Sequence, residues 1–179
     1  MTSRTGGEVV VGALEASGLR YCFGVPGESY LGVLDALHDS SITFVSTRHE
    51  GGASFMASGY SKITGEIGVC LGTRAVGTAN LAIGIHNARQ DSTPMIAIAG
   101  QVNRSFIGRE AFQEVDLVAA MRPLTKWAVE IPSADLAPEI MARAVFLATS
   151  GRPGPVFIFR DTCSVPVGVA QLAQARTAQ

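Results

Sequence analysis

Cysteine is scarce in this 179-residue sequence: Cys22, Cys70 and Cys163 are its three copies, an odd number with no CxxC spacing. That argues against a disulfide framework and against a zinc site. All three fall in apolar, strand-like runs and read as reduced, buried thiols of a cytoplasmic protein. An excess of one charge is missing as well, since 14 Lys and Arg face 15 Asp and Glu for a formal net charge of -1. No basic stripe is available to neutralise a nucleic-acid backbone, so nucleic acid is not an expected partner. Long hydrophobic runs are also lacking. The opening "MTSRTGGEVVVGALEASG" is broken by Gly6, Gly7, Glu8 and Glu15, and it is expected to be neither a signal peptide nor a membrane span. Neither an internal repeat nor a low-complexity linker divides the chain.

What is present is material for one core. Hydrophobic residues make up 47% of the sequence, and a chain of this size buries about 70% of its unfolded surface. Apolar residues at helical spacing over "EVVVGALEAS" end at Gly18, a left-handed helix exit. The short run "YCFGVP" that follows is closed by Gly24 and Pro26 and suits a strand buried on both faces. The alternation continues. Helices are expected at 29–40, 51–62, 76–89, 114–121 and 135–150, and strands in "ITFVST", "IGVCLG", "PMIAIAG", "KWAVEI" and "GPVFIF". Six uniformly apolar strands separated by helices predict an α/β fold, a six-stranded parallel sheet with helices on both faces. The domain is expected to span 1–165. The remainder, 166–179, has few large side chains and reads as a weak helix or disordered tail.

In an open parallel sheet, ligands bind beyond the carboxyl ends of the strands. The loops expected there are "GVPGES", "TRHEGG", "GTRAVGTAN" and the long "GQVNRSFIGREAFQE", whose length favours a functional loop. Glu50, in the second, admits two readings. As a first-turn glutamate it would favour the positive end of a helix dipole, worth about 0.3–1 kcal/mol. Alternatively, the small residues Gly51, Gly52, Ala53, Ser54 and Ala57 would let another surface close over it, and enclosure suits an acid–base group. "GTRAVGTAN" matches neither GxxxxGK[ST] nor GxGxxG; it is either an anion-binding helix start or a glycine-rich turn capped by Thr78 or Asn80. Inside its apolar helix His86 reads as packed, and His38 as a surface residue. Phe112, Gln113 and Glu114 could simply open a helix.

Five segments in order, "FGVPGESYLGVLDAL", "TRHEGGASFMASGYSKITG", "ANLAIGIHNARQDSTPMIAIAGQV", "REAFQEVD" and "ATSGRPGPVFI", resemble the pyrimidine-binding (PYR) domain of thiamine diphosphate enzymes, acetolactate synthase branch. The resemblance runs from about residue 5 to residue 165. It implies the thiamine diphosphate-binding fold of PYR type and a catalytic role for Glu50. In that family the matching glutamate hydrogen-bonds N1′ of the cofactor's aminopyrimidine ring and favours the tautomer that deprotonates the thiazolium, which then attacks a 2-oxo acid. Pro26, Gly27, Gly72, Thr73, Gly77 and Asn80 are implied near the cofactor. Glu28, Ser29, Phe112 and Gln113 are implied at the substrate pocket.

The sequence departs from the family in two loops, with Ala75-Val76-Gly77-Thr78-Ala79-Asn80 where many members read Gly-Pro-Gly-Ala-Thr-Asn, and Glu28-Ser29 where acetolactate synthases commonly read Gly-Ala. The second change puts a charge near the substrate. Family enzymes hold Mg²⁺ and the diphosphate in a separate PP domain, and no residue of this sequence is expected to ligate a metal. The resemblance therefore implies a pyrimidine-binding subunit of a split enzyme, acting on a small 2-oxo acid by decarboxylation or carboligation and inactive alone. A separate PP-domain chain would complete it, sharing thiamine diphosphate and supplying the Mg²⁺ site, in a homodimer or hetero-oligomer. The other reading left open is a fragment, or a non-catalytic scaffold of the same fold.

Overall fold

The computed structural model describes residues 4–161; Cys163 and the expected tail 166–179 lie outside them. The first helix, α1 (Gly6–Ala16), opens on a capping box in which Thr5 Oγ1 accepts from Glu8 N at 3.2 Å and Thr5 N donates to the Glu8 carboxylate at 2.5 Å. It closes beyond Ser17 at Gly18, whose φ of 84° is the left-handed exit expected there. The chain continues through β1 (Tyr21–Gly24), α2 (Leu31–His38), β2 (Thr43–Ser46), α3 (Glu50–Thr64), β3 (Gly68–Thr73) and α4 (Arg74–Gln90). Then come β4 (Met95–Gln101), α5 (Leu117–Met121), β5 (Trp127–Glu130), α6 (Ala137–Thr149) and β6 (Pro155–Asp161). All strand pairs are parallel, in the order β2-β1-β3-β4-β6-β5. The predicted fold class is therefore the observed one.

Side chains alternate across this sheet and build a core on each face. Val69, Leu71, Ile96, Ile98, Val156 and Ile158 pack on one side with residues of α1, α2 and α6. Cys70, Met95, Ala97, Ala99, Phe157 and Phe159 pack on the other with residues of α3, α4 and α5. Being covered twice, β4 is buried along its whole length, which is why its sequence shows no polar alternation. Cys22 and Cys70 are buried thiols, as expected; burial pushes Cys22 up to about 12 and pushes Cys70 up as well.

Several local expectations are corrected. Thr78 and Asn80 do not cap α4, because the helix already begins at Arg74 with Thr73 as its N-cap. His86 is exposed rather than packed. The buried stripe of α4 runs through Gly77, Thr78, Leu81, Gly84, Ile85 and Ala88, and position 86 falls off it. His38 is exposed, as read. Phe112, Gln113 and Glu114 do not open a helix. The Glu114 carboxylate accepts from Gly108 N at 2.5 Å and Ala111 N at 3.0 Å, folding the loop on itself. Asp116 then caps the short α5 by accepting from Ala119 N at 2.8 Å.

The strand order places a topological switch between β1 and β3: from β1 the chain moves outward to β2, and then returns to pair β3 on the opposite side of β1. The loops leaving the carboxyl ends of β1 and β3 part at such a point and leave a crevice.

Candidate active site

Glu50 is the first residue of α3 and stands half-buried beside this crevice. The capping duty at this helix start falls to His49, whose Nδ1 accepts from Gly51 N at 3.0 Å. Glu50 is thus free to turn to α4, where Asn80 Nδ2 donates to its Oε2 at 2.9 Å. Its other oxygen, Oε1, faces Gly77, one turn before Asn80; a Cβ on Gly77 would stand 3.2 Å from it. Gly77 in turn lies on Gly72, the penultimate residue of β3, where a Cβ would approach Gly77 C and O to 3.2 Å. Gly77 therefore lets one carboxylate oxygen come up against α4 while an amide holds the other, and the place a Gly72 side chain would take is filled by Gly77 and Leu81. The geometry brings Glu50, Gly72, Gly77 and Asn80 into one cluster.

The loop after β1 supplies the neighbouring wall. Gly27 packs on Thr73, and a Cβ there would come within 2.8 Å of Thr73 Cβ, so only glycine permits this approach. Thr73 Oγ1 is buried at the contact without a hydrogen-bond partner. Pro26 is exposed on the same loop. The buried Tyr30 closes it by donating its hydroxyl to the Val25 carbonyl, and its phenol is pushed up by burial and by the nearby charge of Glu50. Tyr30 was not picked out in the sequence, where a tyrosine at a helix start reads as ordinary core.

Of the four residues expected at the substrate pocket, Glu28 and Phe112 line a cavity of about 380 Å³ together with Arg74, Val102, Asn103, Phe106 and Ala111. Ser29 does not reach it. This serine is buried against Gly100 at the end of β4, where a Cβ would overlap it, and its hydroxyl has no partner. Gln113, half-buried and at φ 63°, does not line the cavity either. The residue missed by sequence reasoning is Arg74. Its Nη2 lies 3.0 Å from Glu28 Oε1, its Nη1 donates to the Phe112 carbonyl at 3.2 Å, and its guanidinium sits 5.9 Å from the Phe112 ring centre. No local signal in the sequence marks Arg74, because Glu28 and Phe112 meet it only once the loops are folded.

Residues 4–120 match the family "Thiamine pyrophosphate enzyme, N-terminal TPP binding domain". The chain belongs to that family. It is 44% identical over 153 residues to the "Acetolactate synthase isozyme 2 large subunit" of Escherichia coli, covering 86% of this chain and 28% of that protein. It is 43% identical over 155 residues to an "Acetolactate synthase" of Mycobacterium bovis, covering 86% of this chain and 25% of that protein. Against the "Acetolactate synthase, catabolic" of Raoultella terrigena it is 38% identical over 176 residues, 97% of this chain and 32% of that protein. The chain thus spans about a quarter to a third of the length of these relatives. Among the described residues, no helix is long and apolar enough to cross a membrane.

Proposed function

We propose that this chain is the pyrimidine-binding subunit of a cytoplasmic, acetolactate synthase-like enzyme that acts on 2-oxo acids, with Glu50 as its catalytic acid–base residue. A separate PP-domain chain completes the site, shares thiamine diphosphate with it and supplies the Mg²⁺ ligands; the chain alone is inactive. The observation that carries the reading is the Glu50 carboxylate, half-buried beside the crevice and held by Asn80 through Oε2.

The residues present fit the pyrimidine end of the cofactor. Glu50 is half-buried rather than sealed, and with Oε2 taken by Asn80 its Oε1 is left to exchange a proton with a nitrogen of a flat ring. Gly27 and Thr73 give that ring a closely packed side wall, and Asn80 fixes the carboxylate so that its free oxygen points one way. When bound, the cofactor supplies the carbon nucleophile that adds to the keto group of the acid. The fit does not extend to the diphosphate end: among the described residues no three of His, Cys, Asp and Glu converge as ligands of a metal ion. We assign the Mg²⁺ ligands to the PP-domain chain.

Support for assembly lies next to the site. On α3, Phe55, Met56 and Ile63 are exposed, as are Val76 and Ile83 on α4, an apolar face on the same two helices that carry Glu50 and Asn80. Exposed apolar surface beside an incomplete site is where a partner chain would dock.

The test combines the chain with a PP-domain protein, thiamine diphosphate and Mg²⁺ and follows pyruvate consumption. The mixture turns over, the chain alone does not, and Glu50→Gln lowers the rate by about 10²-fold or more, as loss of a positioned acid–base group does. Equal turnover by wild type and Glu50→Gln overturns the assignment.

A further inference from the structure

Arg74 opens α4 at a point where two other loops meet it. Its Nη2 lies 3.0 Å from Glu28 Oε1 in the loop after β1, and its Nη1 donates at 3.2 Å to the Phe112 carbonyl in the loop after β4. The same guanidinium sits 5.9 Å from the Phe112 ring centre. Nε is buried and unpartnered, so the cation is committed to these two loops and its remaining donor is closed off. The tip of the long loop has little other hold. Glu114 bonds within that loop, to Gly108 and Ala111, and Phe112 belongs to neither core and is 73% exposed. Among the described residues, the bond from Arg74 is the hydrogen bond that joins 105–114 to a distant part of the chain. The backbone is also strained on both sides of the contact, with Arg74 at φ 47° and Gln113, next to Phe112, at φ 63°. Residues other than glycine rarely adopt this region, and they persist there only where surrounding contacts over-determine them.

We propose that Arg74 is a positioning residue, a clasp that touches no ligand and fixes Glu28 and Phe112 relative to each other across the cavity that both of them line. The two loops hang on one guanidinium, so releasing either arm loosens the other. By setting the separation of these two walls, the clasp sets how closely the cavity fits what enters it, which contributes to binding and not to the chemical step. The inference rests on the function proposed above for the identity of the substrate; the clasp itself is a property of the chain alone.

The experiment measures backbone order by NMR relaxation at Glu28 and Phe112 in the full chain, without cofactor or partner chain. Arg74→Gly removes the clasp while suiting the positive φ. The melting temperature is expected to hold, and the order parameters of both residues fall from the rigid range, about 0.85, to below about 0.6. Arg74→Lys keeps the charge without the planar fork and restores order only in part. Glu28→Ala cuts one arm and lowers the order of Phe112 as well; this comparison stands alone should Arg74→Gly not fold. In the enzyme reconstituted with a PP-domain protein, thiamine diphosphate and Mg²⁺, Arg74→Gly raises KM for pyruvate about tenfold, more than it lowers kcat, as loss of binding shared by ground and transition states does. Unchanged order at Phe112 in Arg74→Gly, order lost only in step with a fallen melting temperature, or a response to Glu28→Ala confined to residue 28 overturns the clasp. An unchanged KM while both loops loosen overturns its part in substrate fit. The two claims fail separately: a Glu50→Gln enzyme as active as wild type removes the catalytic assignment and leaves the clasp, whereas loops unmoved by Arg74→Gly remove the clasp and leave Glu50.

Discussion

Glu114 sets the shape of the loop that carries Phe112. Its carboxylate takes two backbone donors, from Gly108 and Ala111, and those bonds hold it below the usual carboxylate range. A carboxylate whose acidity is raised by folding stabilises the loop at every pH above its unfolded value, and that contribution is lost as pH falls through the lower, folded value. The loop is thus ordered at neutral pH and loosened by acid. Glu114→Gln imitates the acid state, and trypsin cleavage after Arg109, in the same loop, is expected to speed up several-fold with global unfolding unchanged; an unchanged nicking rate would show that the carboxylate does not order the loop. At this scale the sequence was partly legible. Glu50 could be singled out because a carboxylate followed directly by four small residues, Gly51 to Ser54, is unusual, and Asn80 because it shares a glycine-rich segment. Arg74 could not, since the contacts that define it come from residues 28 and 112, far away in the chain and meeting it only once the loops are folded. The direction of Ser29 was hidden for a related reason: whether the first turn after β1 points its hydroxyl to the crevice or to β4 is decided by Gly100.

Helices α3 and α4 cross at a point where no side chain fits. A Cβ on Gly84 would stand 2.6 Å from Ser54 Cβ, so the crossing distance depends on this glycine. Gly59, also in α3, has open space where its side chain would be. The two positions give opposite expectations for the same chemical change. Gly84→Ala should destabilise by about 1–3 kcal/mol through overpacking, and Gly59→Ala should stabilise by about 0.4–1 kcal/mol by restricting the unfolded chain; urea unfolding of the two variants reads both signs. The elements themselves were well marked in sequence, because most of the strands are bounded by glycine or proline and the helices keep a 3.6-residue period. The exceptions have a common cause. The turn at Glu28–Tyr30 and the shortening of α5 to Leu117–Met121 are set by particular hydrogen bonds, and a periodicity argument does not see those.

For the molecule as a whole, the parallel sheet followed from uniformly apolar strands, but the strand order did not. Nothing in the sequence says that β6 pairs with β4 and pushes β5 to the edge; that is decided by which apolar surfaces α5 and α6 must cover. The outward faces of α3 and α4 were also hidden, as Phe55 and Ile83 look in sequence like core residues and stand 47% and 60% exposed. Such a surface favours association. The chain is expected to self-associate in sedimentation experiments, and Ile83→Glu should weaken that association about tenfold or more while leaving the melting temperature unchanged. A wild-type chain that stays monomeric at high concentration would argue against this face as an interface.

The position of β6 has a further consequence for how the protein is made. Among the described residues, the last strand in chain order is an interior one, wedged between β4 and β5. Until residues 155–161 emerge, the nascent polypeptide has a gap in the middle of its sheet, with β4 unpaired on one side and β5 attached to no neighbour. The sheet closes only when that wedge is in place, and the crevice lined by Glu50 gains its full support at the same step.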